Sequence, residues 1–175
     1  MNRVIVWLQD HERKMFLRAN HKISTSLTYA ILSRLTHLGG ATITIVTTLC
    51  IGLFAVAPWS GTALKALLAL ALSHIPVAII KKKYPRLRPY LVLPEANACK
   101  KPLKDHSFPS GHTTAIFSVV TPFLIAAPIL SLILLPLAML VGFSRMYLGL
   151  HYPSDVAAGC VIGVGAGAAV SHFIV

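Results

Sequence analysis

Hydrophobic residues fill long stretches of this chain that contain no Asp, Glu, Lys or Arg. Four such stretches cover residues 35 to 64, 66 to 80, 111 to 144 and 156 to 175. A helix needs about 20 apolar residues to cross the hydrocarbon core of a bilayer. The third stretch exceeds one span, and Pro128 divides it because proline cannot continue a helix interior. The pattern predicts spans over residues 41 to 58, 62 to 80, 110 to 127, 129 to 148 and 153 to 174.

The N-terminal segment has a different pattern. Residues 1 to 20 place apolar side chains among basic ones: Arg3, Arg13, Lys14 and Arg18. This mixture predicts an amphipathic helix that lies at the headgroup boundary, with its basic residues toward lipid phosphates.

Residues 22 to 38 allow two interpretations. A helical stripe of apolar residues is flanked by serines, an arginine and a histidine, so the segment either spans or lies flat. We therefore predict an all-α, polytopic membrane helix bundle with five to six transmembrane helices and an interfacial helix at residues 1 to 20. Residues 21 to 175 are predicted to form a single membrane-embedded domain.

The predicted last helix carries a glycine at every fourth position, at Gly159, Gly163 and Gly167. Such a stripe lets the backbones of two membrane helices approach closely. We expect it to pack inside the bundle, although the same stripe could serve a homodimer equally well.

Composition and charge indicate the partner. Hydrophobic residues make up 55% of the chain, charged residues 12%, and the mean hydropathy is +0.72, which is unusual for a soluble domain. Residues 81 to 112 contain eight Lys or Arg and two acids, a net +6 of the chain's +11. This basic loop lacks the base-reading modules and stacking aromatics of nucleic-acid binders. We therefore expect a lipid phosphate in the bilayer as the partner, and no nucleic acid.

The predicted helices bring distant polar segments to one membrane face. The helix over 62 to 80 ends at Lys81, and the helix over 110 to 127 begins beyond the basic loop. Two crossings later, the helix over 129 to 148 ends near Arg145 and the last one begins near His151. Polar residues about 70 positions apart in the sequence can therefore meet.

Three cations at these helix ends, Lys81, Arg88 and Arg145, are candidates for binding phosphate. Guanidinium groups match phosphate oxygens in a bidentate way. Headgroup anchoring at a span end is the alternative, and we assign it to Lys82, Lys83 and Arg86. It suits Arg145 poorly, because a charge within an apolar stretch is costly and usually functional.

The tetrapeptide Pro109-Ser110-Gly111-His112 opens a predicted helix. Pro109 suits the first helical position, and the free backbone amides of the opening turn attract anions. Gly111 lets a phosphate approach the backbone, and the Ser110 hydroxyl can donate a hydrogen bond. The preceding residues, His106, Ser107 and Phe108, are interpreted as loop residues that shape the pocket.

His151 and Asp155 form a candidate nucleophile and its partner. Pro153 marks a helix start, so Asp155 lies in the first turn and faces back toward His151. A carboxylate there can keep one imidazole nitrogen protonated and leave the other as a lone pair for attack on phosphorus. His112, on a different helix, can protonate the leaving oxygen and later activate water.

The three motifs together resemble the type 2 phosphatidic acid phosphatase family. They are Lys81 with six residues before Arg88-Pro89, the Pro109 to His112 tetrapeptide, and Ser144-Arg145 with His151 and Asp155. The resemblance extends from about residue 22 to the C-terminus. It implies that Lys81, Arg88, Ser110, Gly111 and Arg145 bind phosphate, and that His112 is the acid, His151 the nucleophile and Asp155 its orienting partner. It also implies that no metal or other cofactor is needed.

The resemblance implies several substrates: undecaprenyl diphosphate, phosphatidylglycerol phosphate or phosphatidic acid. We favour undecaprenyl diphosphate, because a loop of charge +6 suits a diphosphate headgroup. A lipid or anion carrier that binds phosphate without cleaving it is a competing hypothesis, and vanadate-dependent halide oxidation is disfavoured by the lipid setting.

The resemblance also favours a multi-pass protein of the cell membrane with an extracytoplasmic site. From the sequence, sidedness depends on residues 22 to 38. If they span, a cytoplasmic N-terminus puts the site outside; if they lie flat, the site shares the N-terminal side.

Overall fold

In the computed structural model, residues 3 to 21, 25 to 100 and 103 to 174 are described, and all their regular structure is helical. The helices are α1 (Arg3–His21), α2 (Ser26–Leu35), α3 (Ala41–Phe54), α4 (Trp59–Lys83), α5 (Pro89–Val92), α6 (Gly111–Ala126), α7 (Ser131–Tyr147) and α8 (Pro153–Phe173). Short 3-10 turns extend α2 over Thr36–Gly39 and precede α7 over Pro128–Leu130. The prediction of an all-α fold is confirmed.

The membrane spans are confirmed in part. Among the described residues, three helices are long and apolar enough to cross a bilayer: α4, α8 and the continuous Pro128–Tyr147 segment. Ser26–Gly39 and Ala41–Phe54 pass the same test only together, bent by 57° at their junction. Helix α6 is apolar but shorter. The chain is a multi-pass membrane protein, whereas the number of five to six crossings stays a prediction.

Helix α6 forms the centre of the bundle. Its residues from Thr113 to Phe123 are all buried, mainly against α4 and α8. The glycine stripe of α8 faces α6, and a Cβ atom added at Gly159 or Gly163 would lie 2.6 Å from the carbonyl oxygen of Ser110, the N-cap of α6, or of Thr114, respectively. The predicted close packing is confirmed. Because the stripe is buried within one chain, it is not available for a homodimer, and a dimer stays a prediction.

Helix α1 packs onto the bundle at the level where α7 ends and α8 begins. Phe16 is fully buried against Tyr152, and Asn20 donates to the Tyr147 carbonyl at 2.8 Å. The opposite side of α1 exposes Trp7 and Met15, as expected of an interfacial helix. Its position at the headgroup boundary stays a prediction.

Helix α2 lies over the end of α7. Leu32 packs with Tyr147, Leu148 and Leu150, and the hydroxyl groups of Thr28 and Tyr147 are 3.1 Å apart. Both halves of the helix therefore contact the same end of the bundle. Whether the segment at 22 to 38 spans or lies flat stays open, and its residues 22 to 24 lie outside the described part.

Candidate active site

Backbone hydrogen bonds join the helix ends that carry the predicted site residues. The Ser110 amide, before α6, donates to the Asp155 carbonyl at 3.0 Å, and the His151 amide donates to the Arg145 carbonyl at 3.2 Å. Arg88, before α5, donates from Nη1 to the Leu150 carbonyl at 2.8 Å. The predicted meeting of distant polar segments at one end of the bundle is confirmed.

His151 lies in the connection between α7 and α8, and its side chain is almost completely buried. Its Nε2 is 3.1 Å from Arg88 Nη1, which can only donate. Nε2 therefore carries a lone pair, and the proton lies on Nδ1. Burial lowers the pKa of His151 to about 4, the nearby Arg145 and Arg88 lower it as well, and Asp155 opposes them. At neutral pH the imidazole is therefore uncharged, and its lone pair at Nε2 faces Arg88 Nη1.

Asp155 is held more strongly by other residues than by His151. Its Oδ2 is 3.6 Å from His151 Nδ1, which is longer than a hydrogen bond. The same oxygen accepts from the Ser107 hydroxyl at 2.9 Å and the Tyr152 amide at 2.8 Å. Oδ1 accepts from Arg86 Nη1 at 2.8 Å. The carboxylate thus faces the imidazole, but its orientation is set by these three donors.

Arg145 is buried, yet its guanidinium group is only partly satisfied. Nη1 donates to the Thr36 hydroxyl at 2.6 Å. Within the described part of the chain, Nε and Nη2 have no hydrogen-bond partner. A buried cation with free donors is costly unless an anion completes its contacts. Its geometry indicates an anion site.

Lys81 and Arg88 share one carboxylate, that of Asp105. Lys81 Nζ donates to Oδ2 at 2.5 Å, and Arg88 Nη2 donates to Oδ1 at 2.7 Å. Burial raises the pKa of Asp105, but the hydrogen bonds from the two cations outweigh it and lower the pKa to about 2. Asp105 therefore stays ionised and bridges two predicted phosphate ligands.

The start of α6 differs from the prediction: Pro109 lies before the N-cap and not at the first helical position, because the Ser110 side chain caps the helix and Gly111 begins it. Ser110 is its N-cap, and its oxygen accepts from the Thr113 amide at 3.4 Å and the Thr113 hydroxyl at 2.9 Å. The hydroxyl hydrogen of Ser110 is not used in these contacts. A Cβ atom added at Gly111 would meet nothing within 4 Å, so the backbone there borders open space. His112 is the next residue after Gly111. Its ring lies beside Gly40, since a Cβ atom added at Gly40 would be 3.7 Å from His112 Nε2.

A cavity of about 420 Å³ opens beside these groups. Its lining includes His112, Arg145, His37 and Lys100, together with Tyr29 and Ser33 of α2. Helix α2 thus forms one wall of the candidate site, a role that the sequence did not reveal. Among the described residues, no group of three or more His, Cys, Asp or Glu side chains is arranged to hold a metal ion.

The structure adds three side chains to the predicted site and corrects one interpretation. Asp105 bridges two cations, while Ser107 and Arg86 hold Asp155. Arg86, interpreted as a headgroup anchor, is instead paired within the protein, because Asp155 and Glu12 lie beside it. Ser107, interpreted as a loop residue that shapes the pocket, donates a hydrogen bond directly to the candidate catalytic carboxylate. In the sequence, the only indication that Asp105, Ser107 and Arg86 belong to the site was their position near the motifs.

Comparison with protein families decides the membership of the chain. The model of the PAP2 superfamily matches residues 62 to 175, which is more than half of the sequence. The chain belongs to the PAP2 superfamily. All eight predicted site residues of this PAP2 chain lie within the matched region, and the resemblance to type 2 phosphatidic acid phosphatases is confirmed.

Two relatives of this PAP2 chain cover it in part. It is 35% identical over 57% of its length to the bacitracin transport permease protein BcrC of Bacillus licheniformis. It is 34% identical over 45% of its length to an undecaprenyl-diphosphatase of Sulfolobus acidocaldarius. The chain spans 49% and 38% of the lengths of these relatives.

Two solved structures resemble the whole fold. LpxE of Aquifex aeolicus superimposes with a TM-score of 0.82 and 25% identity, covering 91% of this chain and 94% of that one. The PAP2-type phosphatidylglycerolphosphate phosphatase of Bacillus subtilis superimposes with a TM-score of 0.78 and 27% identity, covering 95% of this chain and 85% of that one. The PAP2 chain therefore has the fold of membrane lipid phosphatases.

Proposed function

We propose that this PAP2 chain hydrolyses a lipid phosphate through a phosphohistidine formed on His151. The observation that carries the proposal is the pairing of an uncharged, buried His151 with Arg145, whose Nε and Nη2 lack partners within the described residues and which lines the adjacent cavity. A nucleophile beside unsatisfied cationic donors suits attack on a bound phosphoryl group.

The proposed reaction has two steps. His151 Nε2 attacks phosphorus, the bond between phosphorus and the lipid-side oxygen breaks, and protonated His112 gives that oxygen its proton. The imidazolium that forms is stabilised by Asp155. His112 then takes a proton from water, whose oxygen attacks the phosphohistidine, so that inorganic phosphate leaves and His151 returns to its initial state.

The proposed phosphate-binding residues differ in the contacts that they make before substrate binds. Arg145 lines the cavity and Gly111 at the N-terminus of α6 borders open space, whereas Lys81 and Arg88 are held by Asp105. Arg88 Nη1 also covers the lone pair of His151. Binding of a phosphoryl group would draw these two cations from Asp105 and His151 toward the phosphate oxygens, which uncovers the nucleophile.

The proposal includes no metal, because three cations and a helix N-terminus can carry the charge of the phosphoryl group. Phosphate release should be equal in EDTA and in Mg²⁺. Loss of turnover in EDTA that returns with added Mg²⁺ would contradict this part.

For the substrate we propose undecaprenyl diphosphate, which is converted to undecaprenyl phosphate. His37 and Lys100 line the wall of the cavity that contains Arg145, where a second phosphate of a diphosphate headgroup would lie. The undecaprenyl-diphosphatase among the relatives supports this choice. Phosphatidylglycerol phosphate is the alternative, supported by the Bacillus subtilis structure. Phosphate release from both lipids in detergent tests the preference, and equal or reversed turnover would overturn it.

For the membrane topology we propose five crossings, by α3, α4, α6, α7 and α8, with the site on the extracytoplasmic face. The contacts of α1 and α2 with the end of α7 support a location of both helices on the side of the site. Single cysteines at exposed Gln9 and Lys104, in a chain without its own cysteines, should both react with an impermeant reagent in intact cells. Labelling of one position alone would contradict five crossings, and labelling of neither would contradict the outward site.

A non-hydrolytic carrier is a second candidate, because one relative is named a transport permease protein. A carrier has no need for a nucleophile held opposite a second histidine. Wild type should release phosphate and His151→Ala should not. Lipid movement without phosphate release in the wild type would favour the carrier.

A further inference from the structure

Arg86 connects the candidate catalytic carboxylate to helix α1. Its Nη1 donates to Asp155 Oδ1 at 2.8 Å and to the Ser154 hydroxyl at 2.7 Å. Its Nη2 donates to Glu12 Oε2 at 2.6 Å. The guanidinium group also lies over the Tyr152 ring, 3.9 Å from the centroid. A rigid guanidinium fork thus spans two carboxylates from different helices.

Glu12 completes this arrangement from α1. Only 17% of its side chain is exposed. Its Oε1 accepts from the Ser154 amide at 3.0 Å and also contacts the Ser154 hydroxyl. A carboxylate that accepts an amide of the first turn stabilises a helix start. Glu12 therefore fixes both Arg86 and the beginning of α8, the turn that carries Asp155.

The orientation of Asp155 depends on this support. Its side chain is fully buried, and an ionised carboxylate in that position needs a charged partner. Ser107 and the Tyr152 amide hold Oδ2, and Arg86 holds Oδ1. Arg86 also accepts the Ser107 amide at its carbonyl, at 2.9 Å. Loss of the Arg86 side chain would leave Oδ1 without a cation, whereas the hydrogen bond from the Ser107 amide to the backbone carbonyl of residue 86 would remain.

We propose that Arg86 and Glu12 are positioning residues for catalysis, so that α1 contributes a residue to the support of the active site. They act through Asp155 and do not touch the substrate. The inference rests on the proposed function of Asp155 and goes beyond it, since Glu12 lies outside the region matched by the family model.

The docking of α1 does not depend on Glu12 alone, which makes the proposal testable. Phe16 is buried against Tyr152, Asn20 bonds the Tyr147 carbonyl, and Arg13 pairs with Glu95. Glu12→Gln removes the charge that faces Arg86 and keeps the shape of the side chain. Glu95→Gln is the matched control, because it weakens another ion pair of α1 that does not reach Asp155.

The experiment measures kcat and KM for phosphate release from the lipid by the full chain. Arg86→Gln and Glu12→Gln should lower kcat, by about 10- to 100-fold for Arg86→Gln, the usual effect of losing a supporting contact behind a functional group. KM should change little, and Glu95→Gln should match the wild type. Arg86→Lys should retain an intermediate kcat, because it keeps the charge and loses the fork. A kcat of Glu12→Gln equal to that of the wild type would overturn the role of α1.

A double-mutant cycle separates positioning from general stability. In an Asp155→Asn background, Arg86→Gln should cause no further loss of kcat, because its effect passes through Asp155. Additive losses would overturn the inference.

Failure of the proposed function has a different signature, a wild type that releases no phosphate from any of the lipids. Binding of orthovanadate, measured by calorimetry, then still tests the inference: it should be weaker in Glu12→Gln than in Glu95→Gln, and equal binding would overturn it.

Discussion

Two buried, charged regions flank His151, and they differ in how their hydrogen bonds are satisfied. The first, which we call the phosphate side after its proposed ligand, contains Arg145 and the open start of α6 at Gly111. The second, the Asp155 network, consists of Asp155 with Glu12, Arg86, Ser107 and the Tyr152 amide. Arg145 has two nitrogens without partners in the described part of the chain, whereas both terminal nitrogens of Arg86 are bonded. The unsatisfied buried donors of Arg145 indicate a ligand site, and the satisfied donors of Arg86 indicate support behind it.

The largest effect is expected on the phosphate side. Arg145→Lys should lower kcat/KM by about 10²- to 10³-fold, the range for removing one donor that stabilises transition-state charge. Lysine keeps the charge but cannot supply two parallel N–H groups. Phosphate release from the lipid substrate measures this effect. A loss of less than about fivefold would remove Arg145 from the phosphate site.

Stability should respond in opposite directions in the two regions. Arg145→Met removes a buried cation with unsatisfied donors, so the melting temperature in detergent should stay equal or rise. Arg86→Met leaves the buried Asp155 without its cation and should destabilise by about 1–3 kcal/mol. A fall in melting temperature for both variants, by similar amounts, would contradict the distinction between the regions.

The pH dependence tests the state of His151. Because burial, Arg145 and Arg88 lower the pKa of His151 to about 4, the neutral, nucleophilic form persists well below the ordinary pKa. In the free enzyme, protonation of His151 should therefore not reduce kcat/KM until the pH falls toward 4, and below that the loss should be about tenfold per pH unit. A midpoint near 6.5 in an NMR titration of the His151 imidazole would contradict the lowered pKa.

The smallest effect is expected at Asp105, which competes with phosphate for Lys81 and Arg88. Its side chain is half exposed, so each ion pair contributes up to about 1 kcal/mol. Asp105→Asn should strengthen product inhibition by inorganic phosphate about two- to fivefold. Glu95→Gln serves as the control on the same loop. Weaker inhibition in Asp105→Asn would show that Asp105 supports the cations and does not compete for them.

Much of the bundle was predictable because it depends on local pattern. The glycine repeat from Gly159 to Gly167 indicated close packing, and uncharged runs indicated which segments are apolar helices. The length of the helices was less predictable: the predicted span over 41 to 58 ends at Phe54. The position of α2 was left open, since its contacts with Tyr147 and Leu148 involve residues more than 100 positions away.

The candidate site was predictable where residue types in combination indicate chemistry. His151, Asp155 and Arg145 each have an ordinary structural use at a helix end, and it is their combination in one set of motifs that indicates chemistry. Arg86 was misinterpreted because it stands beside Lys82 and Lys83, and its partners Asp155 and Glu12 lie 69 and 74 positions away. An ion pair between residues so far apart in the chain produces no periodic pattern in a single sequence.

Direct detection of the covalent intermediate tests the central claim. The purified chain, mixed with lipid substrate labelled with ³²P on the terminal phosphate and quenched within milliseconds, should carry label that is stable in alkali and lost in acid. Peptide mapping should place the label on His151, and His151→Gln should carry none. Label on another residue, or phosphate release by His151→Gln at the wild-type rate, would contradict the role of His151 as the nucleophile.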